Sequence, residues 1–124
     1  MECKFKFFIG HLTLDDTVLP DTSATFDAPG GAALYAAAGS KLWGTGVGLV
    51  SRVGDDYSND NIARIKAAGI NTDCVRTTEK PNIHIWALYD RHGERYFIPQ
   101  KHGGDYFQLA PRPEDISPQF LKAA

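Results

Sequence analysis

The sequence predicts an α/β fold built around a parallel β-sheet. Two short β-branched and aromatic segments, residues 4–10 and 46–53, alternate along the chain with segments of helical pattern at residues 30–43 and 61–68. Alternation of strands and helices is typical of βαβ units, whose parallel strands are joined by right-handed crossovers. The small and β-branched residues of 46–53 also indicate a strand that is covered on both faces.

The ends of these elements follow from local turn and breaker residues. After the first strand, residues 11–19 form an extended segment that Pro20 ends, and residues 23–27 alternate as an exposed strand does. Gly30 then opens a helix of small residues, whose composition indicates close packing against a sheet. Gly69 is the predicted end of the second helix.

Three short strand-like segments follow the second helix, at residues 73–78, 82–89 and 95–99. The turn-forming residues 91–94 predict a hairpin loop between the last two segments. Because apolar side chains occur on both faces of residues 82–89, we expect a small sheet that closes over a ligand or contacts another subunit. Ser117 predicts the cap of a last helix that is too short to be stable without packing partners.

Composition and charge restrict the possible functions. The chain has 124 residues, 43% of them hydrophobic and 23% charged, which suits one small domain or part of a larger one. A net charge of −2 and a pI near 6.0 provide no electrostatic basis for binding nucleic acid or an anionic membrane. The beginning of the chain lacks the pattern of a signal peptide, and Cys3 and Cys74 lack metal-type spacing. We therefore expect a cytoplasmic protein with two reduced thiols and no membrane or nucleic-acid partner.

A series of short motifs identifies a family resemblance. In chain order they are Ile9-Gly10 followed by Asp15, Gly30-Gly31 with a small-residue helix, residues 50–56 ending in Gly-Asp-Asp, residues 69–73 as Gly-hydrophobic-x-x-Asp, and Gly93-Glu94-Arg95. Together they resemble the ribokinase-like carbohydrate and nucleoside kinases of the PfkB family. The resemblance covers essentially the whole chain, but only the front portion of a longer family chain.

The resemblance implies both a fold and an activity. The fold is the N-terminal part of a ribokinase-like, doubly wound parallel sheet, with a small β-sheet lid formed by residues 12–28 and 73–100. The activity is ATP-dependent phosphoryl transfer to a hydroxyl group of a sugar, a polyol or a nucleoside. Residues 1–124 would be the substrate-binding part, with the C-terminal ATP-binding and catalytic part absent. Separately from the resemblance, the apolar character of both faces of the lid strands suggests a homodimer formed through the lid.

The catalytic base of the family lies in a Gly-Ala-Gly-Asp motif that this sequence does not contain. The resemblance therefore implies ATP and Mg²⁺ for the full-length enzyme, but neither is expected to bind this chain fully. We accordingly predict no catalytic residue, no cofactor-binding residue and no metal ligand, and we expect the chain to be inactive alone.

The resemblance assigns Asp15 to holding substrate hydroxyls. A carboxylate accepts two hydroxyl hydrogen bonds, and charge-assisted hydrogen bonds are about twice as strong as neutral ones. In the alternative interpretation, Asp15 or Asp16 caps or solvates a turn. Gly30 and Gly31 match the substrate-facing glycine pair of the family, although a tight turn into the helix explains them equally well.

Four further side chains complete the predicted substrate site or border it. Tyr35 stands where the family usually has asparagine, which favours a different polyol, a nucleoside-like substrate that stacks on an aromatic ring, or a pocket of altered shape over a simple sugar; a core tyrosine is the alternative. Thr13 is close enough in sequence to reach the ligand of Asp15. His84 and Phe97 fall where the family places lid side chains over the substrate. Asp55 and Asp56 are predicted to cap the next helix.

Other functional classes fit the sequence less well. The pattern Gly44-x-Gly46-x-Gly48 precedes a strand, whereas a dinucleotide site requires it to follow one and to open a helix. The histidines and cysteines show no paired spacing of the kind found in zinc sites. A non-enzymatic interpretation remains open, namely a small-molecule-binding or dimerisation module derived from a sugar kinase.

We also expect the isolated chain to self-associate or to be marginally folded, because half a sheet exposes apolar faces and a strand edge.

Overall fold

The structure is a computed structural model that describes residues 5–44 and 46–124, so Cys3 and the start of the first predicted strand lie outside the described residues. The strands are β1 (Lys6–Ile9), β2 (Thr13–Val18), β3 (Ala24–Gly30), β4 (Val47–Val53), β5 (Ile70–Thr77), β6 (His84–Tyr89) and β7 (Arg95–Pro99). The helices are α1 (Ala32–Lys41), α2 (Asn59–Ala67) and α3 (Pro118–Ala123). No helix within the described ranges combines the length and the apolar composition that crossing a membrane requires.

The first sheet is parallel and has three strands in the order β1-β4-β5. Helix α1 precedes β4 and α2 joins β4 to β5, so the strands are parallel for the reason that the alternating pattern predicted. One face of the sheet packs against both helices through a buried apolar cluster that includes Leu34, Leu49, Ile65 and Ile70. This arrangement confirms the predicted α/β fold with a parallel sheet.

The opposite face of the first sheet is covered by the end of the chain. Phe120 of α3 is buried with Cys74, and its ring packs against that of Phe5 in an edge-to-face arrangement with centroids 4.9 Å apart. The hydroxyl of Ser117 accepts a hydrogen bond from the amide of Phe120 at 3.2 Å, which caps the helix as its position predicted. A helix of six residues is thus stabilised by packing rather than by its length.

The second sheet has four strands in the order β3-β2-β6-β7. Strands β2 and β6 are parallel, and the other two pairs are antiparallel. The hairpin between β6 and β7 turns at Gly93, which has φ +80° and donates its amide to the carbonyl of Asp90 at 3.1 Å. The strand order brings two segments that are distant in sequence, β2 and β6, side by side at the centre of this sheet.

One boundary of the predicted lid is wrong. Residues 73–77 lie in β5, which pairs with β4 in the first sheet, and they do not join the second sheet. The reason is that β5 begins at Ile70, directly after α2, and completes a βαβ unit with β4. Its alternating buried residues Ile70, Thr72 and Cys74 pack into the interior of the molecule.

The predicted cap of the second helix is also wrong. The cap of α2 is Ser58, whose hydroxyl accepts a hydrogen bond from the amide of Asn61 at 3.1 Å. A capping side chain must directly precede the first helical residue, and Asp56 lies two residues before that position. The carboxylate of Asp56 instead accepts the amide of Asn82 at 2.7 Å.

Asn82 connects the two sheets. Its side chain is fully buried, and its Oδ1 accepts the amide of Gly54 at 2.8 Å. Its Nδ2 donates to the carbonyl oxygens of Leu12 and Ile83, each at 3.0 Å. One amide group therefore joins the segment before β2, the turn after β4 and the start of β6.

Candidate functional site

A cavity of about 590 Å³ lies between the end of β1, the start of α1 and the second sheet. It is lined by Ile9, Gly10, His11, Thr13, Asp15, Gly31, Ala32, Ala33, Tyr35, Ile85, Arg95, Phe97, Pro99 and Tyr106. Its volume falls within the range of about 300–1,000 Å³ that is usual for small-molecule sites. Apolar and aromatic side chains dominate the lining, and the polar groups are few.

Strand register places the cavity residues on one face of the second sheet. Asp15 lies opposite Ile85, and Ile85 lies opposite Pro99, so the three share a face. We call this face, which borders the cavity, the inner face. Because successive side chains of a strand point to opposite sides, Asp16 and Trp86 lie on the other face, which we call the outer face.

Asp15 supplies the carboxylate of the cavity. Thr13 donates its hydroxyl to Oδ1 of Asp15 at 2.6 Å, and within the described residues this is the only hydrogen bond that the carboxylate accepts. Burial raises the pKa of Asp15, and the Thr13 hydrogen bond opposes that effect. A Cβ atom at Gly30 would collide with the carboxylate, so glycine is required for the side chain to lie where it does.

Gly31 allows the backbone to enter α1 at the cavity wall. Its φ is +106°, and a Cβ there would collide with the carbonyl oxygen of His11. Gly31 is the N-cap of α1 and provides no side-chain cap, and Ala32 and Ala33 of the first turn line the cavity. Amide groups at a helix start carry partial positive charge and suit a polar or anionic ligand atom.

Several aromatic rings line the cavity. Tyr35 is 66% exposed, which excludes the alternative that it is a core residue. Tyr106 packs edge-to-face on the ring of His11 at 5.1 Å, and His11 Nε2 lies 2.7 Å from the carbonyl oxygen of Tyr106. The guanidinium of Arg95 lies 4.3 Å from the ring centroid of Phe97. These flat surfaces can contact a planar ligand group on more than one side.

The structure brings together most of the residues that the sequence singled out. On the cavity it places Thr13, Asp15, Gly31, Tyr35 and Phe97, while Gly30 packs against Asp15. Their role in binding a substrate stays a prediction. Asp15 lies within β2, so it does not cap a turn.

The placement of His84 over the substrate is wrong. Its Nε2 lies 2.9 Å from Oδ2 of Asp16 on the outer face, and the inner position at this point of β6 belongs to Ile85. A difference of one residue along a strand moves a side chain to the other face, so a small error in register is sufficient to misplace it.

Sequence reasoning missed two aromatic contributors, His11 and Tyr106. Tyr106 lies in a loop with no periodic pattern, and its contact with His11 joins positions 95 residues apart. No local signal in the sequence indicates such a contact. The aromatic residues beside Gly103 and Gly104 were the one available sign that this loop approaches a site.

Comparisons with known proteins agree with this geometry. The family model described as pfkB family carbohydrate kinase matches residues 12–118. A cytidine kinase from Thermococcus kodakarensis is 31% identical over 85 residues, which are 68% of this chain and 30% of that protein. The structure of a fructokinase from Xylella fastidiosa has a TM-score of 0.71 at 25% identity, and that of a PfkB protein from Polaromonas sp. JS666 has 0.76 at 19%.

This chain covers only part of the length of each protein that it matches. Both structural matches cover 98% of this chain, but only 41% of the fructokinase and 43% of the Polaromonas protein. The chain thus spans about two fifths of these solved structures and under a third of the curated relative. Since the family model covers most of the chain and the fold agrees, the chain belongs to the pfkB family of carbohydrate kinases.

Proposed function

We propose that this chain binds the phosphoryl acceptor of an ATP-dependent kinase of the pfkB family, and that the acceptor is a nucleoside. One observation supports this above all: the Asp15 carboxylate, the Gly31 turn at the start of α1 and several aromatic rings line a single cavity. The matched cytidine kinase supports a nucleoside over a simple sugar. Because the chain spans 30% of that protein, the reaction of the whole enzyme is part of the proposal.

The polar groups of the cavity suit the ribose. Ionised Asp15 can accept hydrogen bonds from two neighbouring hydroxyls, and the Thr13 hydroxyl orients its Oδ1 before the ligand arrives. Amide groups at the start of α1 can donate to a hydroxyl oxygen beside it. A polyhydroxy ligand thereby meets both acceptors and donors within a few ångströms.

The aromatic rings of the cavity suit the base. Tyr35, Phe97 and Tyr106 provide ring faces, and the exposure of Tyr35 leaves its ring available to a ligand. Stacking of a base on an aromatic side chain contributes about 1–3 kcal/mol. A free sugar lacks this contribution, so the aromatic wall discriminates between the two classes of acceptor.

The cavity residues fit the acceptor and do not fit ATP. A fructokinase from Xylella fastidiosa contains bound ATP, and a candidate ribokinase II from E. coli contains ATP and Mg²⁺. In the described part of this chain, Arg95 is the one Lys or Arg side chain that lines the cavity, and the Asp15 carboxylate would repel a triphosphate. We therefore expect the purified chain to bind a nucleoside without phosphorylating it. ATP-dependent formation of a nucleotide by the chain alone would contradict this part of the proposal.

Calorimetric titration with cytidine, adenosine, ribose, fructose and an inositol tests the class of acceptor. We expect the nucleosides to bind about 10–100-fold more tightly than ribose, because stacking is worth about 1–3 kcal/mol per base. Equal affinities for ribose and cytidine would identify a sugar acceptor and reject the nucleoside. Absence of binding by all five compounds would reject the proposed function.

Gly30→Ala is expected to weaken nucleoside binding at least tenfold while the protein remains folded. The added methyl group would collide with the Asp15 carboxylate and displace it from the cavity. Gly39→Ala is the matched control, because it lies in α1 with nothing within 4 Å of a built Cβ, and alanine is favoured in a helix by about 1 kcal/mol. Unchanged affinity in Gly30→Ala, measured by the same calorimetry, would show that the carboxylate position is unimportant for binding.

We also propose that the outer face of the second sheet contacts a second copy of the chain. Phe26 is 61% exposed and packs edge-to-face on Trp86 at 6.3 Å, and the neighbouring Ile98 is largely exposed. Exposed apolar clusters of this kind mark interfaces. In sedimentation velocity we expect a dimer for the unmodified protein, a monomer for Phe26→Asp, and a dimer for the control Leu42→Asp, since Leu42, the C-cap of α1, is 83% exposed. A monomeric unmodified protein would reject this interface.

A further inference from the structure

Three potential metal ligands meet on the outer face of the second sheet. His84 Nε2 lies 2.9 Å from Oδ2 of Asp16 and 3.4 Å from Oδ1 of Asp27. The three ligand atoms all lie within 4.8 Å of one another. They come from β6, β2 and β3, so three adjacent strands each contribute one group.

The short contacts of His84 lack the geometry of well-aligned N–H hydrogen bonds. Its Nε2 is buried, yet it has no hydrogen-bond partner in the part of the chain that the structure describes. The distance to Asp16 is short enough, but the alignment that a ring N–H requires is missing. Ligands of one metal ion point at the ion and not at each other, so a close but misaligned pair is the arrangement that a shared ion explains.

The spacing of the atoms also fits an ion. Donor atoms about 2.0–2.2 Å from a tetrahedral Zn²⁺ lie about 3.3–3.6 Å apart, and octahedral donors lie about 3 Å apart. The two measured distances, 2.9 and 3.4 Å, fall in this range. Small side-chain rotations can bring the remaining pair of oxygens to the same spacing.

The surroundings hold two of the ligands in place. Asp16 accepts the amide of Asp27 at 2.8 Å through Oδ1 and the side-chain amide of Gln100 at 2.7 Å through Oδ2. The carbonyl oxygen of Asp27 accepts Nδ2 of Asn61 at 2.9 Å. Outer hydrogen bonds of this kind orient metal ligands and raise affinity.

We propose that Asp16, Asp27 and His84 bind a divalent transition-metal ion on the outer face. One imidazole and two carboxylates suit Zn²⁺ or Mn²⁺ better than Mg²⁺ or Ca²⁺, which take oxygen ligands. In the single chain the Asp16 side chain is 7% exposed and the Asp27 side chain 70%, which leaves room for water ligands. The ion joins three strands of the second sheet and is independent of the proposed nucleoside, because Asp15 lies on the inner face.

Calorimetric titration of chelator-treated protein with Zn²⁺ tests the site. We expect one equivalent to bind, and we expect Asp27→Asn and His84→Gln each to weaken binding at least about tenfold. Asn tolerates the positive φ of +53° at position 27, and the exposed side chain makes this variant safe for folding. Asp55→Asn and His92→Gln are matched controls at exposed positions and should bind Zn²⁺ as the unmodified protein does.

Cobalt provides a second measurement of the same site. Co²⁺ bound by these three ligands is expected to produce visible absorption bands that disappear in Asp27→Asn. If Zn²⁺ does not bind, or if binding is unchanged in both site variants, these three side chains are not a metal site and the proposal is wrong.

Discussion

Replacement of Asn82 with alanine is expected to lower the free energy of unfolding by about 3 kcal/mol, the largest effect on stability among the substitutions considered. The variant leaves the amide of Gly54 and the carbonyl oxygen of Leu12 without the partner that Asn82 provides, whereas the carbonyl of Ile83 still accepts the amide of Leu14. Buried backbone groups left unpaired cost about 1–3 kcal/mol each. Urea denaturation measures the loss as a lower midpoint with an unchanged slope.

Asn59→Ala is the control for that prediction, since Asn59 is the exposed first residue of α2. We expect it to change the stability by less than about 0.5 kcal/mol. A loss below about 1 kcal/mol in Asn82→Ala would show that the two sheets are held together mainly by apolar packing, and that the buried amide contributes little.

Replacement of Asp15 with asparagine is expected to weaken nucleoside binding by about 10–100-fold, because a hydrogen bond to a charged group contributes about 1.5–3 kcal/mol. Asparagine keeps one acceptor oxygen for the Thr13 hydroxyl but loses the negative charge and the second acceptor. Glu94→Gln, in the exposed hairpin, is a matched change of carboxylate to amide and should leave the affinity unchanged.

The pH dependence of this carboxyl has opposite signs for binding and for stability. Burial raises the pKa of Asp15 above the ordinary value of 3.8. Its contribution to the free energy of unfolding is therefore complete below pH 3.8 and is lost as the pH rises through the raised pKa. Nucleoside affinity should rise over the same interval, because the ionised form is the better acceptor.

The asparagine variant should lack both pH effects, and at pH 7 it should unfold at a higher urea concentration than the unmodified protein. A stability at pH 7 that falls in Asp15→Asn would show that the charge is compensated in the folded protein. A buried carboxylate that binds a ligand is expected to lower the stability of the folded protein while it raises the affinity for that ligand.

The parallel sheet and its helices could be predicted because their signals are local. The apolar run of β4 and the glycine pair before α1 each lie within a few residues, and the motif order added the family. The partners of the last strands depend on pairings across distant parts of the chain. β5 was therefore assigned to the wrong sheet, and His84 to the wrong face of the right one.

Like the fold, the site could be predicted only where its residues belong to local motifs. Asp15 and Gly31 belong to short motifs, and the structure places both on one cavity. His11 and Tyr106 come together only in the folded chain, as do the three ligands of the proposed metal site. Spacing along the sequence cannot reveal a cluster whose members come from three different strands.

A calorimetric double-mutant cycle tests the central claim, which is that Asp15 beside the glycine pair recognises ligand hydroxyls. The cycle compares cytidine with 2′,3′-dideoxycytidine in the unmodified protein and in Asp15→Asn. We predict that the unmodified protein prefers cytidine by about 10–100-fold, and that the variant binds both compounds with nearly equal affinity. The same preference for cytidine in both proteins would contradict the account.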